Sequence, residues 1–308
     1  MDKKSLKPYI MIIVGYLLWS VDYSMYKYLF SSFIDPYAMT SITLVVCGVV
    51  CLISVLFSKW EKIDKGDLWK FAVAGLLMGL IKKGLLMLGM SDTTPIDASI
   101  ISSIGPVMVL LISVILKIDK ITTLKTFGIA LGLIGTCIII FNSEKGSVTA
   151  PHRMVGNIIV FLSTLSTSIY LIWVKDLMKK YHSLTLIRGF YIFAAIFALP
   201  FAIYYAPKVE YHLFTTDAWA IFTYVVLIPT LIPNLLFLKA LRTVKPTVVS
   251  IYAYIMPVVA TILSIILRQD TMTTTKAIAS IIVFIGVYLV IRSYQKSKGI
   301  VPPHNAMN

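Results

Sequence analysis

The chain has 308 residues, of which 58% are hydrophobic and 14% are charged, and its mean hydropathy is +0.87. Water-soluble domains carry about 25% charged residues, whereas here apolar runs of about 20 residues, enough to cross a membrane, recur along the whole sequence. A soluble enzyme held by a single anchor is excluded, because no hydrophilic stretch is long enough to fold separately.

Ten apolar segments follow one another and predict ten membrane-spanning helices, since only helices or closed barrels satisfy backbone polar groups in lipid. The runs are continuous rather than alternating, which argues against a barrel. The expected fold class is therefore an all-α membrane protein with ten transmembrane helices. The predicted spans are residues 9–30, 37–58, 69–90, 96–116, 123–141, 154–174, 184–206, 217–238, 246–267 and 275–292.

The lysines and arginines indicate how the chain is oriented. With the N-terminus in the cytoplasm, 19 of the 28 lie on the cytoplasmic side and 5 on the outside, the distribution that the positive-inside rule describes. We therefore expect a multi-pass protein of the cytoplasmic (inner) membrane, surrounded by the lipid bilayer, with both termini cytoplasmic. No nucleic-acid partner is expected, because the basic residues are scattered over six short segments instead of forming one exposed face.

An internal repeat relates the two halves of the chain. Residues 95–141 align without a gap onto residues 246–292, and 16 of the 47 positions are identical. Several matches are prolines or polar residues, such as Asp119 with Asp270, which shared apolar composition does not explain. Because each half holds five helices, an odd number, the second half enters the membrane from the opposite side. Two inverted five-helix repeats are typical of secondary transporters, in which the substrate site lies near the midplane between the halves.

The sequence also resembles a known family. Leu18-Trp19-Ser20, the segment TPIDASIISSIGPV, an acid at Asp119 and the segment GIALGLIG look like a first EamA-type repeat. The segments KPTVVSIYAYIMPVVATILSIILRQD and FIGVYLVI look like the second. Such repeats are those of the drug/metabolite transporter superfamily, whose EamA-like members are ten-helix carriers of small metabolites. The resemblance implies two EamA-like five-helix domains, residues 1–145 and 153–295, and Arg188 resembles an arginine that family members often carry early in the seventh helix.

Ionisable residues inside the spans are the first candidates for function, because each costs at least about 2.5–3.5 kcal/mol at mid-helix. Asp22 and the pair Lys82-Lys83 lie at a similar depth, since the first and third spans run in the same direction, and a buried ion pair between them is expected. Trp19, Asp22 and Tyr26 share one helix face. The two lysines are about 100° apart on the helix, so they cannot both point into one cavity, and the sequence leaves open which of them meets Asp22.

The repeat offset adds a partner from the second half, because it places Asn234 opposite Lys83 and predicts a polar pair. Four prolines in three spans interrupt the helices, as is typical near a transport site. The candidate substrate-binding residues are Trp19, Asp22, Lys82, Lys83, Tyr170, Asn234 and Tyr252. The candidate gating or helix-breaking residues are Pro106, Pro229, Pro233, Pro257 and Arg188. No metal or cofactor is expected, because the cysteines occupy apolar helix positions and the histidines fall in loops or the tail.

These features predict a secondary active transporter that moves a small polar metabolite by alternating access. The family resemblance favours an amino acid or related compound, and efflux. No nucleotide-binding GxxxxGK[ST] motif is present, which disfavours an ATP-driven pump, and a single intramembrane aspartate without histidine disfavours an enzyme. Protons are the candidate coupling ion, with Asp22 as their carrier.

An alternative is an exchanger or importer of anionic metabolites such as sugar phosphates or nucleotide sugars, in which Lys82, Lys83 and Arg188 meet the anion. A non-transporting scaffold or a lipid scramblase also stays open. The sequence leaves the substrate, the direction of transport and the oligomeric state undetermined.

Overall fold

A computed structural model describes residues 3–57, 61–142, 150, 152–244, 249 and 252–297, and these fold almost entirely as helix. Helices α3 and α4 are joined without a break by the π-helical segment Gly75–Ile81. The helices in chain order are α1 (Lys3–Ser32), α2 (Pro36–Ile53), α3 (Leu68–Ala74), α4 (Lys82–Asp92), α5 (Pro95–Ser103), α6 (Gly105–Ile115), α7 (Thr123–Phe141), α8 (Arg153–Lys180), α9 (Ser183–Tyr205), α10 (Thr216–Ala240), α11 (Ile255–Ile266) and α12 (Thr274–Ser297).

Local signals determine where several helices begin. The carboxylate of Asp35 accepts hydrogen bonds from the backbone N–H groups that open α2, directly before Pro36. Thr94 caps α5 in the same way, again followed by a proline at the first helical position. Short polar side chains at this position satisfy N–H groups that have no helical acceptor, and proline fits the first turn because its missing N–H is not needed there.

The ten predicted spans are confirmed. Across the described ranges, nine segments of at least 18 residues are apolar enough to cross a membrane, and Ile255–Ile266 is a tenth, shorter apolar helix. The ninth predicted span, 246–267, begins at residues that lie outside the described part. The fourth consists of two helices, α5 and α6, which meet at Ile104 directly before Gly105-Pro106, because proline cannot donate the bond that would continue the first helix.

The contacts between helices follow the inverted repeat. Helix α1 of the first half packs along α10 of the second, and the reciprocal pair, α4 with α8, is formed in the same way. Helices α2 and α9 pack together, as do α7 and α12, and these are equivalent members of the two halves. In this arrangement most of the helix packing joins one repeat to the other, so the boundary between the halves runs through the centre of the protein.

The loop before α7 and the loop before α12 have the same geometry. Lys117 and Arg268, one repeat apart, have φ values of 57° and 55°. In each loop the following lysine binds the loop aspartate: Lys125 Nζ lies 2.6 Å from Asp119 and Lys276 Nζ 2.6 Å from Asp270. The internal repeat read from the sequence therefore extends to individual hydrogen bonds. Its predicted partners Pro246 and Ser250 lie outside the described residues.

Glycines bring α7 and α12 into close contact. A Cβ atom on Gly286 would lie 2.4 Å from the backbone nitrogen of Gly132 and 2.8 Å from the carbonyl oxygen of Gly128. The backbones of the two helices therefore touch at this crossing, as small residues allow in membranes. The spacing Gly128-x3-Gly132 thus places two glycines at this contact. The domain boundaries, 1–145 and 153–295, stay a prediction.

Candidate functional site

Helix α1 carries a buried carboxylate. Asp22 is 5% exposed and Tyr26, one turn further along, is fully buried. The Tyr26 hydroxyl donates a hydrogen bond to Oδ2 of Asp22. The other carboxylate oxygen, Oδ1, is buried and has no hydrogen-bond partner among the described residues. Half of this carboxylate is therefore open to a further donor.

Lys83 reaches this carboxylate indirectly. Its Nζ donates to the Tyr26 hydroxyl at 2.5 Å and to Thr230 Oγ1 at 3.1 Å. No ion pair within 4 Å joins Lys83 to Asp22 in the described structure, so the expected direct pair is replaced by a relay through the phenol. The relay connects α1 and α4 of the first half to α10 of the second. We call Asp22, Tyr26, Lys83 and Thr230 the central relay.

Two prolines in α10 free backbone carbonyl groups that accept hydrogen bonds from side chains of the site. Proline has no N–H, so the carbonyl four residues before it loses its helical donor. Pro229 thus frees the carbonyl of Val225, which accepts the Thr230 hydroxyl at 3.2 Å. Pro233 frees the carbonyl of Pro229 itself, which accepts Nε1 of Trp19 at 3.0 Å. Both freed acceptors are used by side chains of the candidate site.

Asn234 lies one turn beyond Thr230 and is part of a second polar group. Its Nδ2 donates to the Thr230 carbonyl at 2.7 Å and to the Tyr191 hydroxyl at 3.0 Å. Tyr191 in turn donates to the Thr230 carbonyl at 2.5 Å. The predicted polar pair of Lys83 with Asn234 is therefore not a direct contact among the described atoms. Both residues instead donate to Thr230, Lys83 to its hydroxyl and Asn234 to its carbonyl oxygen.

Trp19 and Lys82 form the other side of the site. The indole of Trp19 stacks on the ring of Phe237, with the ring centroids 4.8 Å apart and the planes inclined by 10°. The ammonium of Lys82 lies 5.7 Å from the indole centroid. Lys82 and Lys83 therefore point to different partners, as their angular separation on the helix predicts.

A narrow cavity of about 10 Å³ lies next to this polar group, and Tyr170, Tyr191 and Asn234 contribute to its walls. This volume is close to the minimum that holds one water molecule. In this conformation the cavity is therefore too small for an organic molecule. Tyr170 is thus placed beside the site, whereas Tyr252 packs against Tyr9, with the centroids 6.4 Å apart, and is not part of the central relay.

The other predicted proline and gating residues lie outside the relay. Pro106 begins α6 and Pro257 lies in the first turn of α11, so each marks a helix break in its repeat. Arg188 is 2% exposed, and its guanidinium donates to the hydroxyl and the carbonyl of Ser54 at 2.8 and 2.6 Å. This arginine satisfies a carbonyl at the end of α2 and ties the two halves together at the face where α1 begins.

Glu61 joins the halves at the same face, because it accepts the His182 N–H at 2.9 Å. Partial burial acts to raise the pKa of Glu61, but this hydrogen bond and the nearby charge of Arg242 outweigh the burial, so the pKa lies below its ordinary value. Stability from this contact is therefore present above the ordinary glutamate pKa and is lost as the pH falls through the lowered one.

A second charged cluster lies at the opposite face. The carboxylate of Asp97 in α5 is fully buried and binds Arg153 through two hydrogen bonds of 2.7 and 2.9 Å. Asn157 donates to the same carboxylate at 3.1 Å, and Lys276 lies 3.6 Å away while also binding Asp270. Asp97 belongs to the first repeat and the other four residues to the second. We call these five residues the distal cluster.

Sequence reasoning did not single out Thr230, Tyr191 or the distal cluster as site residues. The hydroxyls carry no charge, and an isolated threonine or tyrosine in an apolar span gives no distinctive signal. Asp97 lies two residues after Pro95, at the start of a span, where it is indistinguishable from a loop acid. Within the described ranges, no group of three or more His, Cys, Asp and Glu is placed to hold a metal ion.

The fold and site together define a polytopic helical membrane protein with two inverted repeats and a buried polar site between them, the architecture of small-molecule transporters. Comparison with known proteins identifies the family. The profile of the EamA-like transporter family matches residues 6–141 and again residues 154–292. The chain therefore belongs to the EamA-like transporter family, and it is a transporter rather than an enzyme.

Relatives with curated names agree with this assignment. The chain is 23% identical to an uncharacterized transporter of Archaeoglobus fulgidus over 287 residues, covering 93% of this chain and 99% of that protein. It is 23% identical to the uncharacterized transporter YetK of Bacillus subtilis over 245 residues, covering 79% and 74%. A crystal structure with 16% identity superposes with a TM-score of 0.63 over 96% of this chain and 100% of that one, a similarity of fold alone.

Proposed function

We propose that this protein is a secondary active transporter that exports a small polar metabolite, an amino acid or a related compound, by alternating access. The observation that carries the proposal is the central relay, a buried chain of polar contacts that joins the two repeats. A polar ligand that bonds to these groups replaces contacts between the repeats. Its binding is thereby coupled to the relative movement of the halves, because a ligand shifts a conformational equilibrium by its differential affinity for the two states.

The closed form of the site supports alternating access. The cavity beside Asn234 holds about one water molecule, at about 10 Å³. The two faces are held shut by contacts between the repeats, through Arg188 and Ser54 on one side and through Asp97 and Arg153 on the other. Transport then requires that one set of contacts opens while the other stays closed.

Proton coupling is part of the proposal, with Asp22 as the carrier. Its Oδ1 atom is buried without a partner among the described residues, so a proton bound there adds a donor where none is present. Protonation also removes the negative charge that faces Lys83 through Tyr26. Both effects change the contacts between α1, α4 and α10, which is what coupling requires.

The remaining proposals concern the site and the topology. The excess of lysine and arginine in alternate loops supports an inner-membrane protein with both termini in the cytoplasm. The repeats correspond to domains 1–145 and 153–295. The proposed substrate site comprises Trp19, Asp22, Lys82, Lys83, Tyr170 and Asn234, and Tyr252 is a peripheral member.

A second candidate function is the exchange or import of anionic metabolites such as sugar phosphates or nucleotide sugars. The observation in its favour is the charge of the site, which holds two lysines, Lys82 and Lys83, and one carboxylate, that of Asp22. A site with one excess positive charge favours a ligand with net negative charge over a neutral one.

Reconstitution into proteoliposomes tests the proposal. Vesicles loaded with one unlabelled compound are assayed for counterflow of the same labelled compound, with the twenty amino acids and glucose 6-phosphate as the panel. We expect saturable uptake of at least one amino acid, accelerated by a pH gradient in the wild type and independent of it in Asp22→Asn. The control is Asp176→Asn, an exposed residue whose exposed partner is Lys179.

The same assay distinguishes the alternatives to this function. Saturable uptake of glucose 6-phosphate without uptake of amino acids replaces the first proposal by the second. Full proton dependence in Asp22→Asn removes Asp22 as the carrier. If no compound shows saturable flux, the proposed transport function is wrong.

A further inference from the structure

We propose that Lys82, and not Lys83, binds the anionic group of the substrate, a carboxylate or a phosphate, next to the indole of Trp19. This assignment rests on the proposed transport function and adds a specificity-determining residue to it. The two lysines are neighbours in the sequence, but they differ in their partners, in their burial and in the helices that they face.

Lys83 already has its charge and two of its three donors engaged. Its ammonium donates to the Tyr26 hydroxyl at 2.5 Å and to Thr230 Oγ1 at 3.1 Å, and it lies 4.9 Å from the Tyr26 ring centroid. The side chain is buried, 6% exposed. An incoming anion would compete with these two hydrogen bonds for the ammonium, and the carboxylate of Asp22 would lose its neutralising charge.

The ammonium of Lys82, by contrast, has its donors available. No hydrogen bond or ion pair of its ammonium is found among the described residues, and its one contact is the face of Trp19 at 5.7 Å. Its side chain is only partly buried. An ammonium has three N–H donors, and a cation–π contact occupies none of them in a hydrogen bond. The donors of Lys82 are therefore available to an acceptor.

The π-helical segment Gly75–Ile81 changes the direction in which the pair of lysines points. It ends directly before Lys82, whose N–H bonds back to the carbonyl of Leu77, five residues earlier. A π-turn adds one residue to the turn and rotates everything after it, and such turns are frequent at functional sites. The rotation aims Lys83 at α10 and leaves Lys82 above Trp19.

Trp19 is a fixed support for such a site. Its Nε1 is bound to the Pro229 carbonyl at 3.0 Å, and its ring stacks on Phe237 at 4.8 Å. The ring is thus held by two residues of α10 and cannot follow Lys82 if the lysine turns toward a ligand. If Lys82 leaves the indole face to bind an anion, its contact with Trp19 is lost. Ligand binding would then directly change the contacts at the boundary between the repeats.

The charge of the cluster points to the same class of ligand. Asp22 neutralises one of the two lysines, and through Tyr26 that lysine is Lys83. One positive charge, that of Lys82, is left at mid-depth without an anionic partner among the described side chains. A carboxylate or phosphate on the substrate supplies that partner and is recognised by charge-assisted hydrogen bonds, which are the strong ones in a dry site.

Matched pairs of compounds test this assignment. Each amino acid that the wild type transports is compared with its decarboxylated amine, and glucose 6-phosphate with glucose, as competitors in the counterflow assay. Lys82→Gln is compared with Lys82→Arg, which keeps the charge, and with Lys83→Gln. Thermal unfolding of each purified variant is measured in detergent to separate binding from folding.

We expect Lys82→Gln to weaken the anionic member of a pair, the one that carries the carboxylate or phosphate, about 10- to 100-fold, the equivalent of one hydrogen bond to a charged group. The member that lacks this group should bind no more weakly than in the wild type, and the unfolding midpoint should not change. Lys82→Arg restores most of the affinity. Lys83→Gln lowers the unfolding midpoint, because it leaves the central relay incomplete. The member of the panel that responds, carboxylate or phosphate, identifies the source of the anion.

Three results overturn the assignment. Unchanged affinity in Lys82→Gln, with wild-type flux intact, refutes the role of Lys82 and leaves the proposed transport function standing. Equal weakening of both members of a pair shows a structural role and not anion recognition. Selective loss of the anionic member in Lys83→Gln with an unchanged midpoint assigns the anion to Lys83. A wild-type protein without saturable flux refutes the proposed function itself.

Discussion

The indole Nε1 of Trp19 in the first repeat donates a 3.0 Å hydrogen bond to the carbonyl oxygen of Pro229 in the second. This carbonyl is available because Pro233, four residues later, has no N–H to donate to it. Pro233 thus frees an acceptor in the second repeat that binds Trp19 of the first repeat. The break in α10 is a specific contact between the repeats as well as a point of bending.

Replacing Pro233 tests this contact. In Pro233→Ala the new backbone N–H competes with Trp19 for the Pro229 carbonyl. We expect a higher thermal unfolding midpoint, because a proline inside a helix is unfavourable, together with transport slowed about tenfold, the equivalent of one hydrogen bond of about 1.4 kcal/mol. Counterflow rates and thermal unfolding of the same preparation provide the two measurements.

Pro200→Ala is the matched control, because Pro200 also lies inside a helix, α9, but is exposed on the outer surface. It should become more stable without slower transport. Equal slowing in both variants would mean that the effect comes from helix stiffness in general and not from the bond to Trp19.

The bridging hydroxyl of Tyr26 gives a second prediction. Tyr26→Phe removes the donor to Asp22 and the acceptor of Lys83 in one step, while the ring keeps its packing. Because hydrogen bonds to charged groups contribute about 1.5–3 kcal/mol each, we expect a clear fall in the unfolding midpoint and loss of transport. Thermal unfolding followed by circular dichroism measures the first effect.

Tyr23→Phe is the control, since Tyr23 is on the same helix and its hydroxyl faces the sulfur of Met256 at 3.9 Å, a weak acceptor. A smaller change is expected there. If Tyr26→Phe were as stable and active as the wild type, Asp22 and Lys83 would be able to pair directly and the phenol would be dispensable.

The number of helices and the inverted repeat could be predicted from the sequence because both follow from composition and spacing. Span length is set by the thickness of the membrane, and the repeat is visible at a constant offset. The same offset relates Lys117 to Arg268, and the two residues adopt the same positive φ in their loops. The depth of the charged residues in the membrane was also predictable, because the helical rise places Asp22 and Lys83 at the same depth.

Which side chains contact each other at that depth could not be predicted. They depend on how far each helix is rotated, and the π-turn before Lys82 changes that rotation without an obvious signal in the residues Gly75–Ile81. Tyr26 was placed on the same helix face as Asp22, but its position between Asp22 and Lys83 depends on the tertiary structure. Asp97 was not singled out because it lies at the very start of the predicted span 96–116, and sequence patterns place helix ends only approximately.

The distal cluster gives a third prediction, on stability. Asp97→Asn removes the charge that neutralises Arg153, whose guanidinium it binds through two hydrogen bonds. Breaking a buried ion pair by removing one partner costs about 3–5 kcal/mol, so we expect a large fall in the unfolding midpoint. Arg153→Gln combined with Asp97→Asn should restore part of it, because no uncompensated arginine then remains.

Asp176→Asn is the control for charge alone, because its pair with Lys179 is exposed, with 82% and 69% of the two side chains accessible. No measurable change is expected. A double variant less stable than the wild type by the full sum of the two single changes would show that the two residues act independently, contrary to the buried pair described above.

The crossing of α7 and α12 gives the last prediction. In Gly286→Ala the added methyl group would lie 2.4 Å from the backbone nitrogen of Gly132 and 2.8 Å from the carbonyl of Gly128. Backbone atoms cannot rotate away as a side chain can, so the helices must move apart, and overpacking of this kind costs about 1–3 kcal/mol.

Gly105→Ala is the matched substitution, because a Cβ atom there meets nothing within 4 Å. We expect Gly286→Ala to lower the thermal unfolding midpoint and Gly105→Ala to leave it nearly unchanged. Since α7 and α12 are equivalent helices of the two repeats, their crossing holds the halves together at a distance from the central relay. Loss of stability with normal substrate affinity in the folded fraction is therefore expected for Gly286→Ala, and an altered affinity would show that this crossing moves during transport.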